Sequence, residues 1–177
     1  DMHVRSVDEI CPDVPAPEET ESTFEGNARL KALYFAAKTG QLCLADDSGL
    51  EVDALDGAPG VFSARYAGEP SDDARNNAKL MAALAGVPWA RRGAQFRCAV
   101  ALARPGHVLV TVDGTCRGRI LEAARGAGGF GYDPYFFHEP SGRAFAELGH
   151  AEKEKVSHRG AALRLLTQRL PSVLRDL

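Results

Sequence analysis

The sequence contains no apolar run that approaches the roughly 20 residues needed to span a bilayer. Its first residues, DMHVRSVDEICPD, carry neither the basic region nor the apolar region of a secretion signal. We therefore expect a soluble, unsecreted protein that resides in the cytoplasm and has no membrane partner.

Cysteine is also scarce, and the four cysteines, Cys11, Cys43, Cys98 and Cys116, lie far apart in the sequence. They form no C-x-x-C pair and have no histidine at zinc-ligand spacing, which argues against a disulfide framework or a structural zinc site. Long runs of Lys or Arg are absent as well, and the formal net charge is −3. Because nucleic-acid binding depends on neutralising many phosphates, we expect no nucleic-acid partner.

The chain has 177 residues, of which 45% are hydrophobic, so it can bury its own core as a single domain over residues 1–177. Residues 1–21 hold three prolines and predict an irregular connector. Ser22-Thr-Phe-Glu has the form of a capping box and predicts a helix over residues 22–38. Further helices are predicted over residues 71–86 and from about residue 151 or 157 to the C-terminus.

Strands are predicted between these helices. The apolar run 42–45 and the alternating run 50–55 predict two strands that flank an acidic turn. Two longer alternating runs, 95–104 and 107–116, are joined by Pro-Gly and predict an antiparallel hairpin. The expected fold class is α/β, with helices packed on an elongated mixed, largely antiparallel sheet.

The acidic turn contains Asp46 and Asp47, two carboxylates that leave an apolar strand side by side. Like charges at short range raise each other's pKa, and a magnesium ion held with substrate phosphates would remove that cost. Asp and Gly also suit an ordinary turn, because both tolerate unusual backbone angles. The pair alone therefore leaves a metal site and a surface turn both open.

Asn27 and Lys31 lie four residues apart on the first predicted helix and so share a face. Lys31 could neutralise a phosphate, or it could be a solvated side chain, which is the commoner case. Glu25 could be a metal ligand beside them, although the capping box accounts for it equally well.

The glycine-rich segment 126–134 could bring backbone N–H groups close to a phosphate or a base, with Phe130 or Tyr132 as a stacking face. Ser157 is a good N-cap, which would place His158 and Arg159 in the first turn of the last helix, where anions are favoured. The alternative is a capped helix with polar surface residues.

Five segments taken in order resemble the inosine triphosphate pyrophosphatase family. They are Thr23-Phe24-x-x-Asn27-Ala28-x-x-Lys31-Ala32, Ala45-Asp46-Asp47-Ser48-Gly49-Leu50, Gly57–Tyr66, Gly128-Gly129-Phe130-Gly131-Tyr132-Asp133-Pro134, and Lys153-x-x-x-Ser157-His158-Arg159-Gly160. The resemblance covers nearly the whole chain from Thr23 onward.

The resemblance implies a magnesium-dependent enzyme that hydrolyses the non-canonical purine nucleotides ITP, dITP and XTP to the monophosphate and pyrophosphate. It implies a homodimer, and two lobes around a central nucleotide cleft. Asp47 matches the catalytic proton acceptor and metal ligand, with Asp46 and Glu25 as further candidate ligands. The residues implied to bind substrate are Lys31 and Lys153 at the phosphates, Ser48, Phe130, Gly131, Tyr132 and Asp133 around the nucleoside, and His158 and Arg159 at the purine edge.

Two departures from the family pattern bear on these expectations. Many family members have Glu in a metal-site triplet where this chain has Gly26. The family also begins with an apolar strand and a Thr/Ser-Gly-Asn-x-x-Lys turn that grips the triphosphate. Residues 1–22 do not match this pattern, so we expect that the sequence is truncated and lacks the first strand and this phosphate loop. Two alternatives stay open: a nucleotide-binding protein with lost catalysis, and a pyrophosphatase for other modified nucleotides.

Overall fold

Two long strands form the centre of the sheet. The structure, a computed structural model, describes residues 2–175 and 177. The strands are β1 (Cys43–Val52), β2 (Gly93–Arg104), β3 (His107–Ile120), β4 (Phe136–His138) and β5 (Arg143–Ala144). They lie in the order β1-β2-β3-β4-β5, and each neighbouring pair is antiparallel. The predicted hairpin and the predicted antiparallel character of the sheet are confirmed.

The first strand differs from the two short strands that the sequence predicts. Residues 43–52 form one continuous strand that pairs with β2 along its whole length, from Cys43 opposite Ala103 to Val52 opposite Ala94. The expected pair of strands flanking an acidic turn is therefore wrong. The polar residues 46–48 keep extended backbone because β2 supplies a hydrogen-bonding partner to this part of the strand.

Five helices accompany the sheet in the described part of the chain: α1 (Val7–Ile10), α2 (Phe24–Thr39), α3 (Asp73–Ala83), α4 (His150–Val156) and α5 (His158–Arg175). The short α1 interrupts a segment predicted to be irregular. Helix α2 begins one residue later than the capping box implies, because the Thr23 hydroxyl accepts the Gly26 N–H and caps the helix. The predicted C-terminal helix is two helices that meet at Ser157.

The helices α2 and α5 pack on opposite faces of the sheet. Ala28, Ala32 and Ala36 of α2 are buried against a row of small residues on β2 that includes Ala99 and Ala101. Ala162 and Leu166 of α5 are buried against Cys98, Val100 and Val112, whose side chains point the other way. Small residues on both sides of the first contact let α2 lie close to the sheet. No helix in residues 2–175 is long and apolar enough to cross a membrane.

A third cluster fills the other end of the sheet around three phenylalanines. Phe96 lies with its ring centroid 4.4 Å from Phe136 and 5.6 Å from Phe145. Leu80 of α3 and Leu84, which directly follows this helix, join the same cluster. The aromatic cluster therefore links β2, β4 and α3.

Candidate active site

Asp46 and Asp47 lie on opposite faces of the sheet. Successive side chains of a strand alternate, and Asp47 stands opposite Ala99 on the α2 face, whereas Asp46 stands opposite Val100 on the α5 face. The expectation that the two carboxylates leave the strand side by side is therefore wrong, whereas their roles as metal ligands stay predictions. Each acid belongs to a different polar cluster, and the strand β1 separates the two.

Asp47 contacts two side chains of α2. The Asn27 Nδ2 donates to Asp47 Oδ2 at 3.1 Å, and Lys31 Nζ lies 3.6 Å from Asp47 Oδ1. Asn27 and Lys31 are one helical turn apart and share the face that points to β1, as their spacing predicts. Only 19% of the Lys31 side chain is exposed, so this lysine is not a solvated surface residue.

Glu19 completes this cluster, and sequence reasoning missed it. Lys31 Nζ also lies 3.2 Å from Glu19 Oε2, and the Glu19 carboxyl is one of the groups that raise the pKa of Asp47. The residues that precede α2 turn back over its first turn, where the Glu21 N–H donates to Asn27 Oδ1 at 3.0 Å. A Pro-rich acidic segment has no periodicity that would predict this return.

Burial and Glu19 together raise the pKa of Asp47 to about 6. Burial has the larger effect, and the Lys31 ammonium and the Asn27 amide oppose it. A carboxylate with a pKa near neutrality is well suited to accept a proton from water and release it again.

Gly26 explains how Glu21 and its neighbours approach the helix. A Cβ at position 26 would lie 2.8 Å from the Glu21 Cβ and 3.0 Å from the Thr23 hydroxyl. A glutamate there would require the preceding segment to shift. This chain thus has glycine where many family members have glutamate, and Glu19, which lies outside α2, places a carboxylate near Asp47 instead.

The two other candidate metal ligands have different partners. Glu25 pairs with Arg29 at 3.3 Å and accepts from Thr111 at 3.5 Å, whereas Asp46 pairs with Arg159. Across residues 2–175, no three His, Cys, Asp or Glu side chains are arranged as a metal cluster. Magnesium is usually held by one or two carboxylates together with waters and substrate phosphates, so Asp47 and Glu19 fit such an ion.

The α5 face of β1 carries the second cluster. Arg159 donates to Asp46 Oδ2 from Nε at 3.2 Å and from Nη2 at 2.8 Å, and Nη2 lies 3.4 Å from the Ser48 hydroxyl. The Cys98 thiol lies 3.7 Å from the same Asp46 oxygen. Burial raises the pKa of Cys98 to about 12, so this cysteine is a neutral thiol and not a nucleophile.

His158 lies beside Arg159 at the start of α5. Ser157 caps this helix through its hydroxyl, which accepts the Gly160 N–H at 3.0 Å, as predicted. The His158 ring stacks on Phe96, with centroids 4.8 Å apart, and its Nδ1 has no hydrogen-bond partner among the described residues. Burial lowers the pKa of His158 to about 4, so its ring is neutral at pH 7.

The glycine-rich segment presents Phe130 to solvent and buries Tyr132 and Asp133. Phe130 is 67% exposed, and its ring covers Lys153 with Nζ 4.6 Å from the centroid. Lys153 forms an ion pair with the buried Asp133, which also accepts the Phe130 N–H at 3.1 Å. Tyr132 is buried and donates its hydroxyl proton to the Ser63 carbonyl at 2.7 Å.

The two lysines implied to bind phosphate thus stand in different surroundings. Lys31 lies beside Asp47 and Glu19, whereas Lys153 contacts Asp133 and the faces of Phe130 and Phe145. The structure groups Lys153 with the residues implied to surround the nucleoside.

Comparison with known proteins identifies the family. The model of the Ham1 family matches residues 1–169 of this chain. The chain belongs to the Ham1 family. Curated relatives include proteins named dITP/XTP pyrophosphatase from Desulforamulus reducens, 56% identical over 147 residues, and from Geobacter sulfurreducens, 54% identical over 162 residues. The first alignment covers 83% of this chain and 73% of the relative, and the second covers 92% and 81%.

Solved structures support the assignment of this chain to the Ham1 family. The Ham1 protein of Staphylococcus aureus is 41% identical, with a TM-score of 0.88 over 96% of this chain and 87% of that protein. A structure from Mycobacterium abscessus described as nucleoside-triphosphatase / dITP/XTP pyrophosphatase is 49% identical, with a TM-score of 0.75 over 88% of this chain and 84% of the other. The resemblance drawn from the sequence is therefore confirmed, and with it the α/β fold.

Proposed function

We propose that this Ham1-family protein is a nucleoside-triphosphate pyrophosphatase. It hydrolyses non-canonical purine nucleotides, namely ITP, dITP and XTP, to the monophosphate and pyrophosphate. The family match and the curated relatives named dITP/XTP pyrophosphatase support this activity. The observation that carries it is the half-buried Asp47 held between Asn27, Lys31 and Glu19.

Asp47 is the proposed catalytic base. Water attacks the α-phosphorus of the triphosphate, Asp47 accepts a proton from this water, and the bond to the pyrophosphate oxygen breaks. The pKa of Asp47, raised to about 6, leaves the carboxylate ionised and ready to act at pH 7. Asn27 holds one carboxylate oxygen in place through its donated hydrogen bond.

Magnesium is the cofactor that the donor set of Asp47 and Glu19 fits best. When bound, Mg²⁺ supplies positive charge that neutralises the triphosphate oxygens. Lys31, with its ammonium within 4 Å of both carboxylates, adds a positive charge to the same cluster and is positioned to bind a phosphate. In the free protein this lysine already offsets part of the repulsion between Glu19 and Asp47.

The nucleoside is proposed to bind between the exposed Phe130 ring and the residues at the start of α5. The 6-oxo group of hypoxanthine or xanthine accepts hydrogen bonds from donors such as Arg159. The 6-amino group of adenine would leave those donors unpaired, which costs binding energy. Ser48 lies 3.4 Å from the Arg159 guanidinium and is proposed to contact the same nucleoside.

The proposal extends to assembly and location. Phe62 is 55% exposed and lies in the segment 57–66, so a second copy of the chain could cover this apolar ring in a homodimer. All four cysteines lie within residues 2–175 and are free thiols, which is compatible with the reducing cytoplasm.

The test is magnesium-dependent release of pyrophosphate from ITP, dITP, XTP, ATP and GTP. We expect the first three to be hydrolysed much faster than ATP and GTP. Equal rates on all five would refute the selectivity, and tight ITP binding without turnover would indicate a nucleotide-binding protein instead. Faster turnover of another modified nucleotide would indicate a pyrophosphatase for that substrate.

A matched pair of variants tests the role of Asp47. Asp47→Asn keeps the shape of the side chain but removes the base, so we expect kcat on ITP to fall by about 10²- to 10⁴-fold with the fold intact. Asp53→Asn removes an exposed carboxylate paired with Arg117 and serves as the control. An unchanged kcat in Asp47→Asn would contradict the assignment.

A further inference from the structure

Two side chains of helix α3 bind the backbone N–H and the backbone carbonyl of Gly131 in the glycine-rich segment. The Gly131 N–H donates to Asp73 Oδ2 at 2.8 Å, and the Asn77 Nδ2 donates to the Gly131 carbonyl at 2.9 Å. Asp73 and Asn77 are one helical turn apart, so they point the same way from α3. A rigid element thus fixes the backbone of Gly131 on both sides of its Cα.

Gly131 is the point where the segment changes direction. Its φ is +60°, and a Cβ there would meet nothing within 4 Å, so backbone conformation rather than space favours glycine at this position. Before it lies the exposed Phe130, and after it lies the buried Tyr132, which is anchored to the Ser63 carbonyl. The orientation of the Phe130 ring relative to the proposed nucleoside site therefore depends on the backbone angles of Gly131.

Asn77 makes this contact at a cost to the fold. Its side chain is buried, and its Oδ1 has no hydrogen-bond partner among the described residues. A buried acceptor without a partner is destabilising, and an apolar side chain would avoid it. The one hydrogen bond that the Asn77 side chain makes within the described residues is to Gly131, so that bond is what the amide contributes.

We propose that Asp73 and Asn77 are positioning residues for nucleoside binding, which hold the glycine-rich segment so that Phe130 faces the bound base. This proposal rests on the proposed function, since the nucleoside is the ligand concerned. It predicts an effect on substrate affinity and not on the chemical step, because Asp47, Lys31 and Glu19 lie on the α2 side of the sheet.

The experiment compares kcat and KM for ITP in wild type, Asp73→Ala, Asp73→Asn and Asn77→Leu. We expect KM to rise by about tenfold in Asp73→Ala and Asn77→Leu with kcat nearly unchanged, because binding common to ground and transition states is lost. Asp73→Asn retains an acceptor oxygen for the Gly131 N–H and should restore most of the affinity.

Two controls separate this role from general destabilisation. Asp72→Ala removes the neighbouring carboxylate that caps α3 by accepting the Arg75 N–H, so it should lower thermal stability without raising KM. Tripolyphosphate carries the phosphates of the substrate but no nucleoside, so we expect it to compete with ITP with the same inhibition constant in Asp73→Ala as in wild type. A fall in kcat at constant KM, or a parallel loss of tripolyphosphate affinity, would overturn the proposal.

A structural readout keeps the two proposals distinguishable. Amide hydrogen exchange at Gly131, followed by NMR on the free protein, should be faster in Asp73→Ala than in wild type or Asp72→Ala. If wild type does not hydrolyse ITP, the proposed function fails. The positioning role is then judged by this exchange together with ITP affinity measured by calorimetry. Unchanged exchange or unchanged ITP affinity in Asp73→Ala would overturn it.

Discussion

Burial makes the His158 ring a poor acceptor of protons. Its pKa falls from the ordinary 6.5 to about 4, chiefly through burial, with Arg159 and Lys153 lowering it further and Asp46 raising it. Between these two values the unfolded chain holds a proton that the folded protein does not. The contribution of the neutral His158 to the free energy of unfolding is therefore complete above pH 6.5 and is lost as the pH falls towards 4.

We expect His158 to reduce the free energy of unfolding by about 3 kcal/mol when the pH falls from 7 to 4. His158→Phe retains the stacking on Phe96 but cannot take up a proton, so its stability should fall less over the same range. Asp47 acts in the opposite direction in this window, because its pKa is raised. Urea unfolding of both proteins at several pH values isolates the histidine by difference.

The control for this measurement is His107→Gln, since His107 is exposed at the start of β3. Its stability should follow wild type across the pH range. A drop in His158→Phe as large as in wild type would show that other groups cause the acid sensitivity.

At the scale of single residues, the sequence predicts those site members that depend on local spacing. Asn27 and Lys31 share a helix face because four residues make about one turn, and they reach Asp47 as a pair. Glu19 could not be found in this way, because it lies in a segment without periodicity. Asp73 and Asn77 could not either, since their contacts to Gly131 span 58 and 54 residues.

At the scale of elements, the start of α2 determines where Asn27 and Lys31 lie. Thr23 accepts the Gly26 N–H, whereas the capping box predicted Ser22 for this role. We expect Thr23→Ala to lower the free energy of unfolding by about 1 kcal/mol and Ser22→Ala to have little effect. Urea unfolding of the two variants decides between the caps, and equal losses would contradict the assignment to Thr23.

The strand β1 shows why element boundaries were harder to predict than element types. Asp, Ser and Gly in succession favour a turn by local preference. Pairing with the ten residues Ala94 to Ala103 of β2 overrides that preference and keeps residues 43–52 extended. The hairpin of β2 and β3 was predictable because its alternation is long and its Pro-Gly turn is local.

At the scale of the whole molecule, Arg92 connects distant parts of the chain. This residue is only 3% exposed and donates to the carbonyls of Leu84 at 2.9 Å, Ile120 at 2.7 Å and Leu121 at 3.1 Å. Leu84 directly follows α3, and Ile120 ends β3, so one guanidinium joins the helix that carries Asp73 to the strand that leads into the glycine-rich segment. Its positive charge is stabilised by the dipoles of these carbonyls, including that of Leu84 just after the end of α3.

Replacement of Arg92 by lysine should therefore destabilise the protein although the charge is retained. An ammonium carries its three N–H donors on one nitrogen, so it cannot reach all the carbonyls that surround a planar guanidinium. Some of these buried carbonyls would therefore lose the hydrogen bond that Arg92 donates. We expect Arg92→Lys to lower the free energy of unfolding by about 2–4 kcal/mol in urea. The exposed neighbour gives the control, since Arg91→Lys should change stability by less than about 0.5 kcal/mol. If Arg92→Lys were as stable as Arg91→Lys, the carbonyls at the ends of α3 and β3 would not need the guanidinium. Some other contact would then have to hold α3 against the sheet.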